Sequence, residues 1–112
     1  MEVQAITRNV HMSPQKMREV CRQIQGLPAL KAKAALQFVC RKSAREVEKT
    51  LKSAIANAEN GAAKAKAETL IVREAVAQTG MRMKRFTPKA RGSAGPIIKR
   101  YCHIKIVLTD EE

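Results

Sequence analysis

A stretch of 26 residues, from 80 to 105, carries eight basic side chains and no acidic one. It also contains two prolines and three glycines, which are poorly tolerated inside a helix. The segment has too few large apolar residues to build a core of its own. We therefore expect it to extend from a folded body and to become ordered among the phosphates of a nucleic acid. Its basic residues are Arg82, Lys84, Arg85, Lys89, Arg91, Lys99, Arg100 and Lys105.

The charge of the whole chain is concentrated in this segment. The 112 residues include 22 Lys and Arg against 10 Asp and Glu, a formal net charge of +12. Outside residues 80–105 the balance is 14 basic to 10 acidic residues, a net charge of only +4. Such a focused positive charge predicts a polyanionic partner and a mildly basic body with a cationic extension.

Several classes of protein are excluded by composition. No apolar run approaches the roughly 18 residues of a membrane-spanning helix. The N-terminal sequence MEVQAITRNV lacks the pattern of a signal peptide, so a cytoplasmic location is expected. The three cysteines, Cys21, Cys40 and Cys102, are odd in number and far apart, which argues against a disulfide framework or a zinc site.

The N-terminal quarter is predicted to be a strand followed by a helix. Residues 2–10 alternate weakly between apolar and polar side chains, as in a strand. Ser13 and Pro14 are typical of a helix start, and Gly26 stands where a helix often ends. The apolar residues between them recur at helical spacing and predict one buried stripe, formed by Met17, Val20, Cys21 and Ile24.

Two further helices are predicted before Gly61. Pro28 opens the first of them, and Leu30, Ala34 and Phe38 follow at intervals of four residues as its apolar positions. The next helix is expected over about 43–59. Its apolar face is predicted to comprise Ala44, Val47, Leu51, Ala54, Ile55 and Ala58, and its basic, solvent-exposed face Lys42, Arg45, Lys49 and Lys52.

The C-terminal part is predicted to form two strands, from Leu70 to about Gln78 and from Tyr101 onwards. Cys102, Ile104, Ile106 and Leu108 share one face of the last strand, and Tyr101, His103 and Lys105 share the other. A strand, three helices and two more strands indicate the α+β class. Between the last two strands, residues 80–100 are predicted to form a β-hairpin arm with limbs of about ten residues, each reaching about 30 Å.

The residues give no sign of an enzyme. The chain has no glycine-rich phosphate-binding motif, no pair of carboxylates at a spacing that suits general acid–base catalysis, and no cluster of metal ligands. Its two histidines offer no partner for a nucleophile, because His103 and Cys102 point to opposite faces of a strand. Phe86 and Tyr101 are the aromatic residues of the basic segment, too few for an aromatic platform for single strands.

Three sequence blocks carry a resemblance to a known family. They are SPQKMR at 13–18, LKSAIANAEN at 51–60 and MKRFTPKARGSAGPIIKRYCHIKIVL at 83–108. In order and spacing the chain resembles the bacterial-type large ribosomal subunit protein L twenty-two. The resemblance implies three helices packed on a small three-stranded antiparallel sheet, with a long extended β-hairpin arm, in one domain over 1–112. It also implies a structural constituent of the ribosome that needs no cofactor or metal.

The resemblance further implies partners: large-subunit ribosomal RNA, neighbouring ribosomal proteins and the nascent polypeptide, with the protein a monomer within the ribosome. The hairpin would line the exit tunnel with Met83, Lys84, Arg85, Pro88, Lys89, Ala90, Arg91 and Gly92. Together with the charge pattern, it predicts RNA binding by Lys16, Arg18, Arg22, Arg82, Lys84, Arg85, Lys89, Arg91, Lys99, Arg100 and His103.

The chain departs from the family pattern in three places. Ser93 stands where an arginine is common, and Gly95-Pro96 stands where an acidic residue and a basic residue are usual. Near the end of the first helix, residues 25–27 read Gln-Gly-Leu instead of Arg-Gly-Lys. An alternative function stays open on the residues alone. A DNA-bending architectural protein also uses basic β-arms with a proline near the tip, but the block at 51–60 argues against it.

Overall fold

The fold consists of three helices on one side of a three-stranded antiparallel sheet, and so belongs to the predicted α+β class. The computed structural model describes residues 2–61, 66–88, 92 and 94–110. Lys89, Ala90 and Arg91, which were predicted to line the tunnel, and Ser93 lie outside this range. The elements are β1 (Glu2–Val10), α1 (Pro14–Ile24), α2 (Ala29–Phe38), α3 (Lys42–Asn60), a short 3-10 turn (Ala67–Thr69), β2 (Ile71–Pro88) and β3 (Ala94–Thr109).

The sheet has the order β1-β3-β2, so the last strand of the chain lies at its centre. The predicted alternation of β3 is confirmed, because its four inward residues are completely buried against the helices. The predicted stripe of α1 is also buried. Burial of each large apolar side chain contributes roughly 1.5–3 kcal/mol, so these two elements form much of the core. The core residues they supply are Met17, Val20, Cys21, Ile24, Cys102, Ile104, Ile106 and Leu108.

Helix α3 buries all six of its predicted apolar residues, and its four predicted basic residues are exposed. It also buries Thr50, which is satisfied by local hydrogen bonds. The Thr50 hydroxyl donates to the Glu46 carbonyl oxygen over 2.9 Å, and Thr7 Oγ1 lies 2.7 Å from Thr50 Oγ1. Since the Thr50 hydroxyl has a single proton, Thr7 is the donor in the second bond. This pair joins α3 to β1 within the core.

The prediction for α2 was wrong about which face is buried. Leu30 is 46% exposed and Phe38 is 84% exposed, although both were expected on the apolar stripe. The buried residues are Ala29, Ala32 and Leu36. Ala29 and Ala32 let this helix pack closely with Leu36 turned inwards, whereas Leu30 and Phe38 face outwards.

The connection between α1 and α2 is fastened to the start of β2. Gly26 has φ of +87°, a left-handed conformation that favours glycine, and its N–H donates to the Val72 carbonyl oxygen over 2.8 Å. In return the Val72 N–H donates to Leu27 O over 2.9 Å, and the Ala29 N–H donates to Leu70 O over 2.9 Å. These bonds set the position of α1 beside β2.

Strands β2 and β3 remain paired beyond the part of the sheet that the helices cover. Their register runs from Ile71 opposite Thr109 to Pro88 opposite Ala94, with irregularities between Val72 and Glu74 and between Thr79 and Arg82. The long axis of the molecule measures 61 Å against 27 and 19 Å for the others. The radius of gyration is 17.0 Å, whereas about 13 Å is typical of a compact chain of this size. We refer to residues 82–88 and 94–100 as the distal hairpin.

Candidate nucleic-acid interface

The distal hairpin presents basic side chains on both of its faces. Arg82 and Lys84 share the face that continues the helix-covered side of the sheet, and Arg85 and Lys99 share the opposite face. All four are exposed. Since no acidic residue occurs in this segment, these side chains cannot form ion pairs within it, and their positive charges can interact with a ligand or with water.

Two arginines stand directly opposite each other where the distal hairpin begins. The register pairs Arg82 with Arg100. Like charges at directly opposed positions of an antiparallel pair destabilise the pairing. An anion between the two guanidinium groups would remove this repulsion, and the Arg82–Arg100 pair therefore favours phosphate binding.

A third arginine completes a groove at this point. Arg18 of α1 lines it together with Arg82 of β2 and Arg100 of β3, in a space of about 230 Å³. We call it the arginine groove. The guanidinium fork suits phosphate oxygens because it offers several N–H donors in a fixed geometry. The groove is also lined by Ser13, Pro14, Gln15, Thr79 and Tyr101.

The position of Arg18 is set by a hydrogen bond to the sheet. Its Nε–H donates to the Ala77 carbonyl oxygen over 3.0 Å. The two terminal amino groups of the guanidinium are thus still available to a ligand. Arg22 follows one helical turn later and borders an adjoining groove of about 160 Å³, which Arg18 also lines. Lys16 is exposed but lies about 200° from Arg18 around the helix, so the structure does not bring it into either groove.

His103, which was predicted to bind RNA, and the nearby Tyr101 both have partners within the protein. His103 Nδ1 accepts a hydrogen bond of 3.1 Å from the Asn9 N–H. The Tyr101 ring stacks on His11, with centroids 4.7 Å apart and an angle of 21° between the planes. These contacts tie β1 to β3 beside the arginine groove. Phe86, by contrast, is 78% exposed on the distal hairpin and is free to stack on a base.

Gly80 lies in the irregularity where β2 leaves the helix-covered part of the sheet. A Cβ added there would stand 3.0 Å from the Tyr101 carbonyl oxygen and 3.2 Å from the His103 ring. Glycine thus permits the close approach of β2 to β3 just before Arg82. Sequence analysis placed Gly80 in the predicted hairpin arm, but it did not predict that this residue packs against Tyr101 and His103.

Of the residues predicted for the exit tunnel, the structure describes four on β2, namely Met83, Lys84, Arg85 and Pro88, and Gly92 beyond it. Arg85 folds back on its own strand, where it donates to the Lys84 carbonyl oxygen over 2.9 Å and approaches Met83 Sδ at 3.8 Å. Pro88 is exposed. Gly92 has φ of +75°, which suits the turn between the strands. The remaining predicted residues, Lys89, Ala90 and Arg91, fall outside the described range.

Comparison with known proteins decides the family. The family model described as ribosomal protein L22p/L17e matches residues 5–109, which includes both the arginine groove and the distal hairpin. The chain belongs to this family. Its sequence is also 53% identical over 110 residues to the large ribosomal subunit protein uL22 of Opitutus terrae, covering 98% of this chain and 96% of that protein. For the protein of the same name from Akkermansia muciniphila, identity is 44% over 112 residues, covering 100% and 99%.

Membership of this family confirms the ribosomal prediction and favours it over a DNA-bending function. The chain is a ribosomal protein with a structural, non-enzymatic role, and it assembles with ribosomal RNA and other ribosomal proteins in the cytoplasm. Within the described residues, no group of three or more His, Cys, Asp or Glu side chains is placed to hold a metal ion. None of the helices in the same range is long and apolar enough to cross a bilayer.

The two core cysteines are kept in the neutral thiol form. Burial raises the pKa of Cys21 from 9.0 to about 11, and the neighbouring Cys102 adds to the effect. Burial also raises the pKa of Cys102, against an opposing contribution from Arg18. A neutral buried thiol is a poor nucleophile, so these residues act as small apolar side chains.

This burial predicts how stability responds to alkaline pH. Below pH 9 the Cys21 thiol is protonated in both the folded and the unfolded chain. Between pH 9 and about 11 the unfolded chain loses its proton first, so the free energy of unfolding falls as the pH rises. When it is measured by urea unfolding from pH 8 to 11, the free energy of unfolding should fall more steeply with pH for the parent protein than for Cys21→Ala. Equal slopes would mean that Cys21 is not buried as described.

Proposed function

We propose that the protein binds large-subunit ribosomal RNA through the arginine groove and the distal hairpin, and that the hairpin lines the exit tunnel for the nascent polypeptide. The convergence of Arg18, Arg82 and Arg100 from three elements carries the RNA-binding part of the proposal. Relatives that cover nearly the whole chain are named large ribosomal subunit proteins, which supports the choice of RNA.

The charge and shape of the molecule suit insertion into folded RNA. Arginine and lysine contacts to phosphates supply most of the affinity of such a complex, and their number sets its salt dependence. The distal hairpin is only two strands wide and carries cations on both faces, so phosphates on either side can neutralise it. A segment of this shape can pass between RNA helices, whereas the helical body stays outside.

The tunnel assignment rests on the family resemblance and on the position of the residues concerned. Met83, Lys84, Arg85 and Pro88 lie on the part of β2 farthest from the helices. We expect the protein to act as a monomer within the ribosome, with its hairpin reaching both RNA and the nascent chain. Gly95 and Pro96 stand where a charged pair is usual in the family, so we expect this part of the hairpin to lack the ion-pair contacts that such a pair can make.

The arginine groove makes a quantitative prediction. Changing Arg82 and Arg100 together to Gln should lower the slope of log affinity against log salt by about 1.5, since each phosphate contact contributes roughly 0.7–0.9. Filter binding to a transcript of large-subunit ribosomal RNA at several salt concentrations measures the slope. The matched control changes Lys49 and Lys52, two exposed cations of α3, to Gln.

The control pair removes the same charge from a surface outside the groove. We expect it to alter the slope by less than half as much as the arginine pair. Equal reductions in the two variants would show that only net charge matters, and would contradict the groove as a specific phosphate site.

A further inference from the structure

A second acid-free segment lies in the helical body. From residue 20 to residue 45, between Glu19 and Glu46, there are six basic residues and no acidic one. Apart from this segment and residues 80–105, the chain has 8 basic and 10 acidic residues, a net charge of −2. The body is therefore not uniformly mildly basic, because it carries a second basic segment that contains no acidic residue. The six residues are Arg22, Lys31, Lys33, Arg41, Lys42 and Arg45.

An exposed phenylalanine lies within this segment. Phe38, the last residue of α2, is 84% exposed, the highest value among the exposed large apolar side chains of the described residues. Leu30 and Ala34 lie on the same face of α2, and both are exposed. The stripe that periodicity assigned to the core thus faces outwards, and nothing in the described fold covers it.

Phe38 borders a groove that also contains cations. The groove has a volume of about 640 Å³, and Lys42 and Arg45 line it from the first turn of α3. Its other charged lining residues are Arg41 and Glu46, so three cations outnumber one carboxylate. Lys42 and Arg45 lie on one face because they are three residues apart. Neither forms an ion pair with another described residue, whereas Arg41 beside them pairs with Glu19. The groove shares no lining residue with the arginine groove.

We propose that Phe38 stacks on an unpaired base of the RNA and that Lys42 and Arg45 contact the phosphates flanking it. The inference rests on the proposed function, because it takes ribosomal RNA as the ligand. A phenylalanine ring beside two cations fits a nucleotide, which combines a flat apolar base with an anionic phosphate. The occupant is RNA rather than a protein because Lys42 and Arg45 are cations beside Phe38 with no ion-pair partner among the described residues, which suits a polyanion, and three apolar side chains are few for a stable protein interface.

The test separates stacking from charge. Phe38→Leu keeps an apolar side chain but removes the aromatic face, and should weaken binding to the ribosomal RNA transcript between about fivefold and a hundredfold. Its salt slope should stay at the parent value. Phe38→Tyr should bind like the parent protein, because the ring is preserved. Thermal melts of both variants should match the parent, since the side chain is exposed.

The cations are tested by a pair of charge-matched variants. Changing Lys42 and Arg45 to Gln should lower the salt slope by about 1.5, and the Lys49 and Lys52 pair again serves as the control. Irradiation of the complex at short ultraviolet wavelength should join an RNA nucleotide to the tryptic peptide of residues 34–41, which contains Phe38. Phe38→Leu should lose this crosslink.

Two results would overturn the inference. One is an RNA affinity of Phe38→Leu equal to that of the parent; the other is a crosslink from residues 34–41 to a protein in assembled particles. If either occurs while the change of Arg82 and Arg100 to Gln still lowers the salt slope of RNA binding, only this inference fails. If the parent protein itself does not bind the transcript, the proposed function fails with it.

Discussion

Replacing residues 83–99 by Asn-Gly is expected to leave the body folded and to lower the salt slope of RNA binding by about four. The register places Arg82 opposite Arg100, so a two-residue turn can close the strands at that pair. The replacement removes five basic residues, and each phosphate contact accounts for roughly 0.7–0.9 of the slope. Filter binding over a series of salt concentrations measures this change. The residues removed are Lys84, Arg85, Lys89, Arg91 and Lys99.

A full-length control separates charge from shape. Changing the same five residues to Gln keeps the hairpin and should reduce the slope to a similar extent. Circular dichroism and thermal melts show whether the shortened protein is folded. Loss of the fold would mean that the distal hairpin supports the core, contrary to its exposure on both faces.

The second large effect concerns the core. Leu51→Ala should lower the free energy of unfolding by about 2–5 kcal/mol, because Leu51 is completely buried where α3 packs on the sheet. A domain of this size is stable by only about 5–15 kcal/mol, so the variant should be close to unfolding. Urea denaturation followed by circular dichroism measures the difference.

The neighbouring residue provides a control for this substitution. Lys52 is exposed, and its ion pair with Glu48, at 3.6 Å, is worth about 0.3–0.5 kcal/mol. Lys52→Ala should therefore cost less than about 0.5 kcal/mol. If Leu51→Ala costs less than 1 kcal/mol, α3 does not pack as the structure describes.

The parts of the fold that were predicted well have strong periodic patterns. In α1 and α3 large apolar residues recur every three or four positions, and in β3 they occupy alternate positions from Cys102 to Leu108. Each pattern leaves only one way to bury its apolar residues, so the sequence determined both the type of element and the inward face.

The buried face of α2 was predicted wrongly because the composition of this helix does not distinguish one apolar face from another. Four of its ten residues are alanine, so several faces are apolar. The larger Leu30 and Phe38 suggested the inward face. In the structure the buried residues are Ala29, Ala32 and Leu36 instead, and this choice depends on the packing against the rest of the fold, which the periodicity of one helix does not give.

The charges of the candidate site were predictable, but their arrangement was not. The basic segment was evident from the absence of acidic residues over 80–105. That Arg82 faces Arg100 depends on the register of β2 and β3 and on the irregularity after Thr79. The position of Arg18 beside both is set by its hydrogen bond to the Ala77 carbonyl oxygen, which joins α1 to β2 over 59 residues of sequence. No local sequence pattern determines which residues of β2, β3 and α1 lie next to one another.

The most direct test of the account places a photo-crosslinker at position 86, at the exposed Phe86 of the distal hairpin, in ribosomes that hold a stalled nascent chain. Benzoylphenylalanine is suitable because it retains an aromatic side chain there. The account predicts crosslinks to large-subunit ribosomal RNA and to the nascent chain, and no nascent-chain crosslink when the probe replaces Lys52. Crosslinks to RNA alone would contradict the tunnel assignment, and crosslinks to neither would contradict insertion of the hairpin into the subunit.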